Sequence, residues 1–438
     1  MLTPSILLLL AVLAAGRTIK TPLAIYCLAW LACMIPSAIG LINYHFIGDE
    51  NDFARYVLFG YNVLFVAGYQ LAEYYYAGAG ARRAAPPAGN AALHAAISGR
   101  VALVAMVGVG MAIIDFKLFQ GIVLEDFSQM RDSFHARQVN ALTQIGSLLS
   151  WGALYALPYL IVNWSGLSLA RRVYYAIPAV GLFYFGILSA GRQAAFQILI
   201  ISSLSFLYRG IVTGSRVKLS LAFKAALAAL PVLMILYMGI VAHQRNDGLI
   251  SESKTAVLEL LFDFSLDPLA NSVADSVGPA FKDGIVEGVV YFNSPVNLFS
   301  VFLAQPHPPA YHGLMTFPLV ARRFDSFGDT TVVQAMEATS KMMANAGVIN
   351  VGWATSYGSL ILDFGLAGCA VLMLLLGLLS SCAWRIFLRE RSFASFMLVL
   401  CACIHIIYIP LLPAISDTNV FLLTIFSVLI WKYSKTAR

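Results

Sequence analysis

Charge is what this chain has least of. Only 11% of its 438 residues are Asp, Glu, Lys or Arg, against roughly 25% in an ordinary soluble domain, and 60% are hydrophobic. That balance excludes a soluble globular protein. Alternating short strands are also missing: stretches such as Leu221 to Ala242 are apolar nearly throughout, which excludes a transmembrane β-barrel. The six cysteines sit in or at the ends of apolar segments, so no disulfide framework is expected. Cys401 and Cys403 lack a second pair and a histidine at ligand spacing, because His405 shares their apolar segment, and no metal site is read there. Nucleic-acid-binding motifs are absent, and the net charge of +6 is divided among short connections, so nucleic acid is no expected partner. Internal repeats, low-complexity tracts and a separate soluble domain are lacking too.

What the chain does have is long apolar runs, at residues 2–15, 21–42, 53–79, 98–119, 141–162, 173–189, 193–208, 221–242, 354–382, 392–412 and 418–431. Segments of about twenty such residues cross roughly 30 Å of hydrocarbon at about 1.5 Å per residue. The expected fold is all-α: a polytopic helical membrane protein with about eleven transmembrane helices (about ten to twelve), forming one membrane domain over residues 1–438. The first run is short enough to resemble a signal peptide, but no small-residue cleavage site follows it, and it is read as a helix.

Charge placement orients these helices. Arg17, Lys20, Arg82, Arg83, Arg171, Arg172, Arg209, Arg385, Arg389, Lys432 and Lys435 fall in the odd-numbered connections and the C-terminal tail, which are therefore expected in the cytoplasm. The opposite connections hold acids such as Asp49, Glu50, Asp52, Glu125 and Asp126. The N-terminus is then outside and the C-terminus inside. The largest external feature is residues 243–353, far longer than an idle connection. Apolar and aromatic residues at helical spacing in Thr255 to Phe264 and Gly284 to Leu303 predict helices packed over the membrane domain.

Several residues could carry chemistry. Val173 to Tyr208 would make about 54 Å of continuous helix, nearly twice the hydrocarbon thickness, so it must break, and Ser189-Ala190-Gly191-Arg192 is the only plausible place. Arg192 then lies at a hairpin tip near the outer boundary. It either snorkels to lipid head groups or offers its planar fork of donors to phosphate, and the second reading is preferred. At the exit of the eighth helix, Arg245 is a second phosphate candidate, and His243 is either a general base or an interfacial anchor. His307 and His312 lie among prolines, with Gly313 beside His312, where side chains can converge. Arg322, Arg323, Arg131 and Arg137 could contact phosphate or a sugar carboxylate, although solvated arginine is the plainer reading. Asp363 is an intramembrane acid that needs a partner or a water-filled cavity. His405 reads as a hydrogen-bonded core residue, and Tyr74-Tyr75-Tyr76 and Trp431 with Tyr433 read as interface belts.

The Gly191-Arg192 tip, the long external loop before the last three helices, Tyr291-Phe292-Asn293-Ser294-Pro295, and Asn350 to Thr355 leading into Leu362-Asp363-Phe364-Gly365-Leu366-Ala367-Gly368 are together similar to the Wzy-type oligosaccharide repeat-unit polymerases of bacterial surface polysaccharides. The resemblance covers the chain from about the sixth helix onward. It implies a C-type glycosyltransferase-like architecture with its active face on the periplasmic side of a bacterial inner membrane. It also implies undecaprenyl-diphosphate-linked oligosaccharides as both donor and acceptor, surrounded by membrane lipids, with a chain-length regulator as a further partner. In that scheme Arg192 and Arg245 hold the departing diphosphate, and His312 or His243 serves the acceptor hydroxyl. Arg322, Arg323, Arg137, Tyr291 and Asp363 are substrate-binding candidates. No Asp-x-Asp pair occurs in an external loop, so a metal-independent enzyme without cofactor is expected. The competing expectations are an O-antigen ligase with lipid A core as acceptor, and a transporter or flippase for the lipid-linked oligosaccharide.

Overall fold

The computed structural model of the protein describes residues 3–16, 20–45, 52–78, 91–119, 121, 141–189, 193–214, 259, 264–276, 279–305, 311–317 and 355–436. They are mostly helical. The helices are α1 (Thr3–Ala15), α2 (Pro22–Ala38), α3 (Asp52–Gly78), α4 (Ala91–Ile114), α5 (Ala141–Leu149), α6 (Gly152–Asn163), α7 (Leu169–Leu188), α8 (Gln193–Thr213), α9 (Pro268–Ser276), α10 (Pro279–Ala304), α11 (Thr355–Glu390), α12 (Phe393–Tyr408) and α13 (Thr418–Thr436). Each apolar run predicted from the sequence coincides with helix here, except 221–242, which lies outside the described residues.

Among the described residues, five stretches are long and apolar enough to cross a membrane by length and composition: Ala92–Phe119, Ala141–Gly166, Gln193–Thr213, Gly284–Ala304 and Thr355–Glu390; α1, α2 and α12 are shorter apolar helices. Gly284–Ala304 is the unexpected one. Its spacing predicts a helix lying over the membrane domain, yet its length and hydropathy are those of a crossing helix. Phe264, at the end of the other expected loop helix, is instead the first residue of a strand.

The helices expose large apolar side chains where a water-soluble fold would expose charge. On α11, Val371, Leu375 and Leu379 form an i, i+4, i+8 stripe with exposures of 56%, 44% and 61%, while Ser380 and Ser381 are buried. Asn62, Ser98, Asn293 and Asn297 are buried as well. An apolar exterior over a partly polar interior is stable where the surrounding solvent is hydrocarbon. The chain is a membrane protein.

Two compact units are present, and each has its own packing logic. The first comprises Met1–Ala81, Glu252–Arg385 and His405–Asp417. Its α2 starts where the Thr21 hydroxyl accepts from Ala24 N (3.2 Å), with Pro22 in the first turn, where its missing N–H costs nothing. After α2, strand β1 (Ile42–Tyr44) pairs antiparallel with β2 (Phe264–Leu266), matching Ile42 to Leu266 and Tyr44 to Phe264. Ile42, Phe264, Val286 and Val290 form a small buried cluster beside this pair, and burial pushes the Tyr44 phenol well above its ordinary pKa. The pairing places residues 42–44 and 264–266 on the same side.

Amide side chains join α10 to α2. Asn293 Nδ2 donates to the Cys33 carbonyl (2.5 Å), the Ser37 hydroxyl donates to Asn293 Oδ1 (2.6 Å), and Asn297 Nδ2 donates to Ser37 Oγ (3.1 Å). Such bonds supply specificity where apolar contact alone would not, because lipid is as apolar as leucine. α3 and α11 meet backbone to backbone at Gly68 and Gly377. Beyond that crossing, Glu73 pairs with Arg385, whose Nε donates to Oε1 (2.7 Å) and whose Nη2 donates to Oε2, and the Ser381 hydroxyl donates to the same carboxylate (2.9 Å).

The second unit comprises Arg82–Ser251, Ile386–Ile404 and Thr418–Arg438. α4 and α5 approach through Gly108 and Gly146, where an added Cβ would collide with Leu149 and with the Gly108 carbonyl respectively. Trp151 stacks on Phe426 with centroids 4.4 Å apart, and the Ser150 hydroxyl donates to Asn419 Oδ1 (2.9 Å). Arg172 lies over the Trp164 ring at 4.7 Å, and Lys435 lies over Trp431 at 4.0 Å while pairing with Glu390 (3.0 Å). Cation and tryptophan together are the chemistry of a membrane-water boundary.

Candidate functional site

The first unit holds the intramembrane acid. Within α11 the backbone leaves helical geometry at Gly365 (φ 71°, ψ 176°), a conformation that glycine adopts without the Cβ clash of other residues. Asp363 sits two residues before this break and is 1% exposed. Its carboxylate accepts from Met315 N at Oδ1 (3.0 Å), and at Oδ2 from Thr316 N (2.6 Å) and the Thr316 hydroxyl (2.5 Å). These three donors satisfy a buried polar group that would be costly without partners.

The same segment also bonds the backbone of the broken helix. Tyr311 N donates to the Leu362 carbonyl (3.0 Å) and His312 N to the Asp363 carbonyl (3.2 Å), acceptors that a straight helix would spend on residues 366 and 367. Residues 311–317 are thus a compact turn, closed internally by Leu314 N to the Tyr311 carbonyl (3.1 Å) and Phe317 N to the Gly313 carbonyl (2.8 Å). His312 and Gly313 both have positive φ, 51° and 99°. The His312 side chain is exposed. An exposed imidazole on a fixed turn can accept a proton from a hydroxyl brought to it.

The second unit holds the approach to Arg192. α7 ends at Leu188 and α8 begins at Gln193, two separate helices where helix length alone forbids one. A π-helical turn (Asp115–Phe119) after α4 packs against the end of α7: Phe116 and Leu188 are buried together, with Tyr184 and Phe185 beside them. Asp115 in that turn accepts from the Thr143 hydroxyl, and Lys117 lies 5.4 Å from the Tyr184 ring centroid. Lys117 is a cation that the sequence reading passes over; its signal was a lysine within two residues of the end of an apolar run.

Of the sequence-derived candidates, His312 and Asp363 are brought together, through backbone and carboxylate rather than through the imidazole. Tyr291 lies exposed on α10, edge-on to Phe292 with centroids 5.8 Å apart. Arg192, Arg245, His243, Arg322, Arg323 and Arg137 lie outside the described residues. None of the six cysteines forms a disulfide. Among the described residues, no group of three His, Cys, Asp or Glu side chains converges as a metal ion would need. Family models, curated proteins and solved structures provide no match to this chain.

Proposed function

We propose that this protein is a Wzy-type polymerase of lipid-linked oligosaccharide repeat units, a glycosyltransferase with about eleven membrane helices whose active face is periplasmic in a bacterial inner membrane. The observation that carries the reading is that one apolar helix ends at Leu188 and a separate one begins at Gln193, as the length argument that sets Arg192 near the outer boundary requires. In the reaction, an acceptor sugar hydroxyl attacks the anomeric carbon of the growing chain. The bond to undecaprenyl diphosphate breaks, and that diphosphate leaves with the bonding electrons. Arg192 and Arg245 would stabilise the charge that develops, a task suited to fixed guanidinium groups where water is scarce. The exposed His312 would take the hydroxyl proton. A length-control partner fits a product that is a polymer.

Deleting the gene in its host and resolving surface polysaccharide on a gel tests this directly. A single-repeat product without a ladder is the expected result, whereas loss of all capped core would favour a ligase. The break in α11 beside a buried acid gives the transporter reading one supporting feature, since transporters place broken helices at their sites. Internal accumulation of lipid-linked units in the deletion strain would favour it. Two further outcomes are expected. A reporter fused near Gly313 should be periplasmic and one fused after Arg438 cytoplasmic, and finding both on one side would overturn the orientation. Purified enzyme should form polymer in EDTA, and recovery only on adding back a divalent ion would refute metal independence.

A further inference from the structure

We infer that Asp363 is a positioning residue for His312: its buried carboxylate fixes the 311–317 turn, and through it the imidazole, without touching substrate. This rests on the polymerase reading, in which His312 serves the acceptor hydroxyl. The carboxylate is already committed to three donors of the turn and is 1% exposed, which leaves little of it for a sugar or a phosphate. The backbone explains what those bonds accomplish. His312 adopts φ 51°, a left-handed conformation that non-glycine residues avoid, and it is followed by Gly313 at φ 99°. Such a pair persists only when the chain is held on both sides. On the N-terminal side, Tyr311 N and His312 N bind the Leu362 and Asp363 carbonyls, acceptors that any residue at those positions would provide. On the C-terminal side, Met315 and Thr316 are held by the Asp363 side chain. Beyond the turn's own closure by Leu314 N and Phe317 N, the C-terminal side of the clamp therefore depends on a single carboxylate.

Asp363→Asn keeps the size but offers one acceptor oxygen, and its NH2 group meets a donor head-on. Thr316→Val removes only the hydroxyl donor and keeps both amide bonds. Hydrogen-deuterium exchange of the purified full chain should show peptide 311–317 slow in wild type. Exchange at Met315 and Thr316 should be faster by at least about tenfold in Asp363→Asn, with a smaller rise in Thr316→Val. At matched abundance, Asp363→Asn should lower kcat for polymer formation by at least about tenfold while leaving KM for the lipid-linked repeat unit within about twofold. Because the effect runs through His312, the Asp363→Asn/His312→Ala double variant should be no slower than His312→Ala alone.

Unchanged exchange in Asp363→Asn would overturn the clamp. So would altered exchange with full turnover, a rise in KM without loss of kcat, or losses that multiply in the double variant. Failure of the polymerase reading appears differently: wild-type protein would form no polymer, and the exchange measurement would still judge the clamp on its own.

Discussion

Gly68→Ala and Gly377→Ala should each cost about 3 kcal/mol of stability, visible as a lower melting temperature and poor recovery of monodisperse protein in detergent. A Cβ on Gly68 would fall on the Leu374 carbonyl oxygen, with Leu378 N only 3.2 Å away. One on Gly377 would fall on the Phe65 carbonyl oxygen, with Tyr69 N at 3.0 Å. The obstructing atoms are backbone, so no side-chain rotation relieves the clash, and α3 and α11 must move apart. That separation would also pull Arg385 away from Glu73, leaving a half-buried ion pair stretched. Gly60 is the control, because it lies on the same α3 and an added Cβ there meets nothing within 4 Å. Gly60→Ala should be neutral or gain up to about 1 kcal/mol from helix propensity. Equal losses at all three positions would show that α3 tolerates no added methyl anywhere and would remove the close-crossing explanation.

The glycines at that crossing show where a single sequence is informative and where it is not. Length and polarity are legible: every described apolar run is a helix, and the break between Leu188 and Gln193 follows from about 54 Å of helix facing about 30 Å of hydrocarbon. That Asp363 needs a partner or a water-filled cavity was also legible, since an unpaired intramembrane carboxylate is too costly, and the structure supplies partners. Which partners it takes was not legible. Two of its three donors are backbone N–H groups, which every residue except proline carries, so Met315 and Thr316 had no distinguishing signal.

Other features were hidden for different physical reasons. β1 and β2 are three residues each and more than about two hundred residues apart, too short for alternation to register. Gly365 lies inside an apolar run, where glycine is common enough that a break is not implied. Gly284–Ala304 is a helix at the spacing the sequence predicts, and what the sequence did not reveal is that its Glu287 is buried. Arg192 is the converse case. Its chemistry is legible in the sequence, while the residue itself lies outside the described ones; the packing of Phe116 against Leu188 at the end of α7 had no signal in the apolar pattern.

Arg192→Lys should impair polymer formation nearly as badly as Arg192→Ala, each slowing turnover by more than about a hundredfold, which corresponds to about 3 kcal/mol of transition-state stabilisation. The reason is geometric. Departure of a diphosphate spreads negative charge over several oxygens, and a guanidinium meets two of them with parallel donors, whereas an ammonium keeps the charge but loses the fork. The alternative role makes the opposite forecast. α7 and α8 end and begin within five residues of each other, and Arg171, Arg172 and Arg209 flank their other ends, so a cation at 192 would also serve to pin the tip in lipid head groups. Lysine snorkels as well as arginine, and an anchor should accept it. The comparison is made on polymer ladders at matched membrane abundance of the two variants. A lysine variant with near wild-type rate would leave Arg192 as an anchor and move the diphosphate to Arg245, where the same pair of substitutions then becomes decisive.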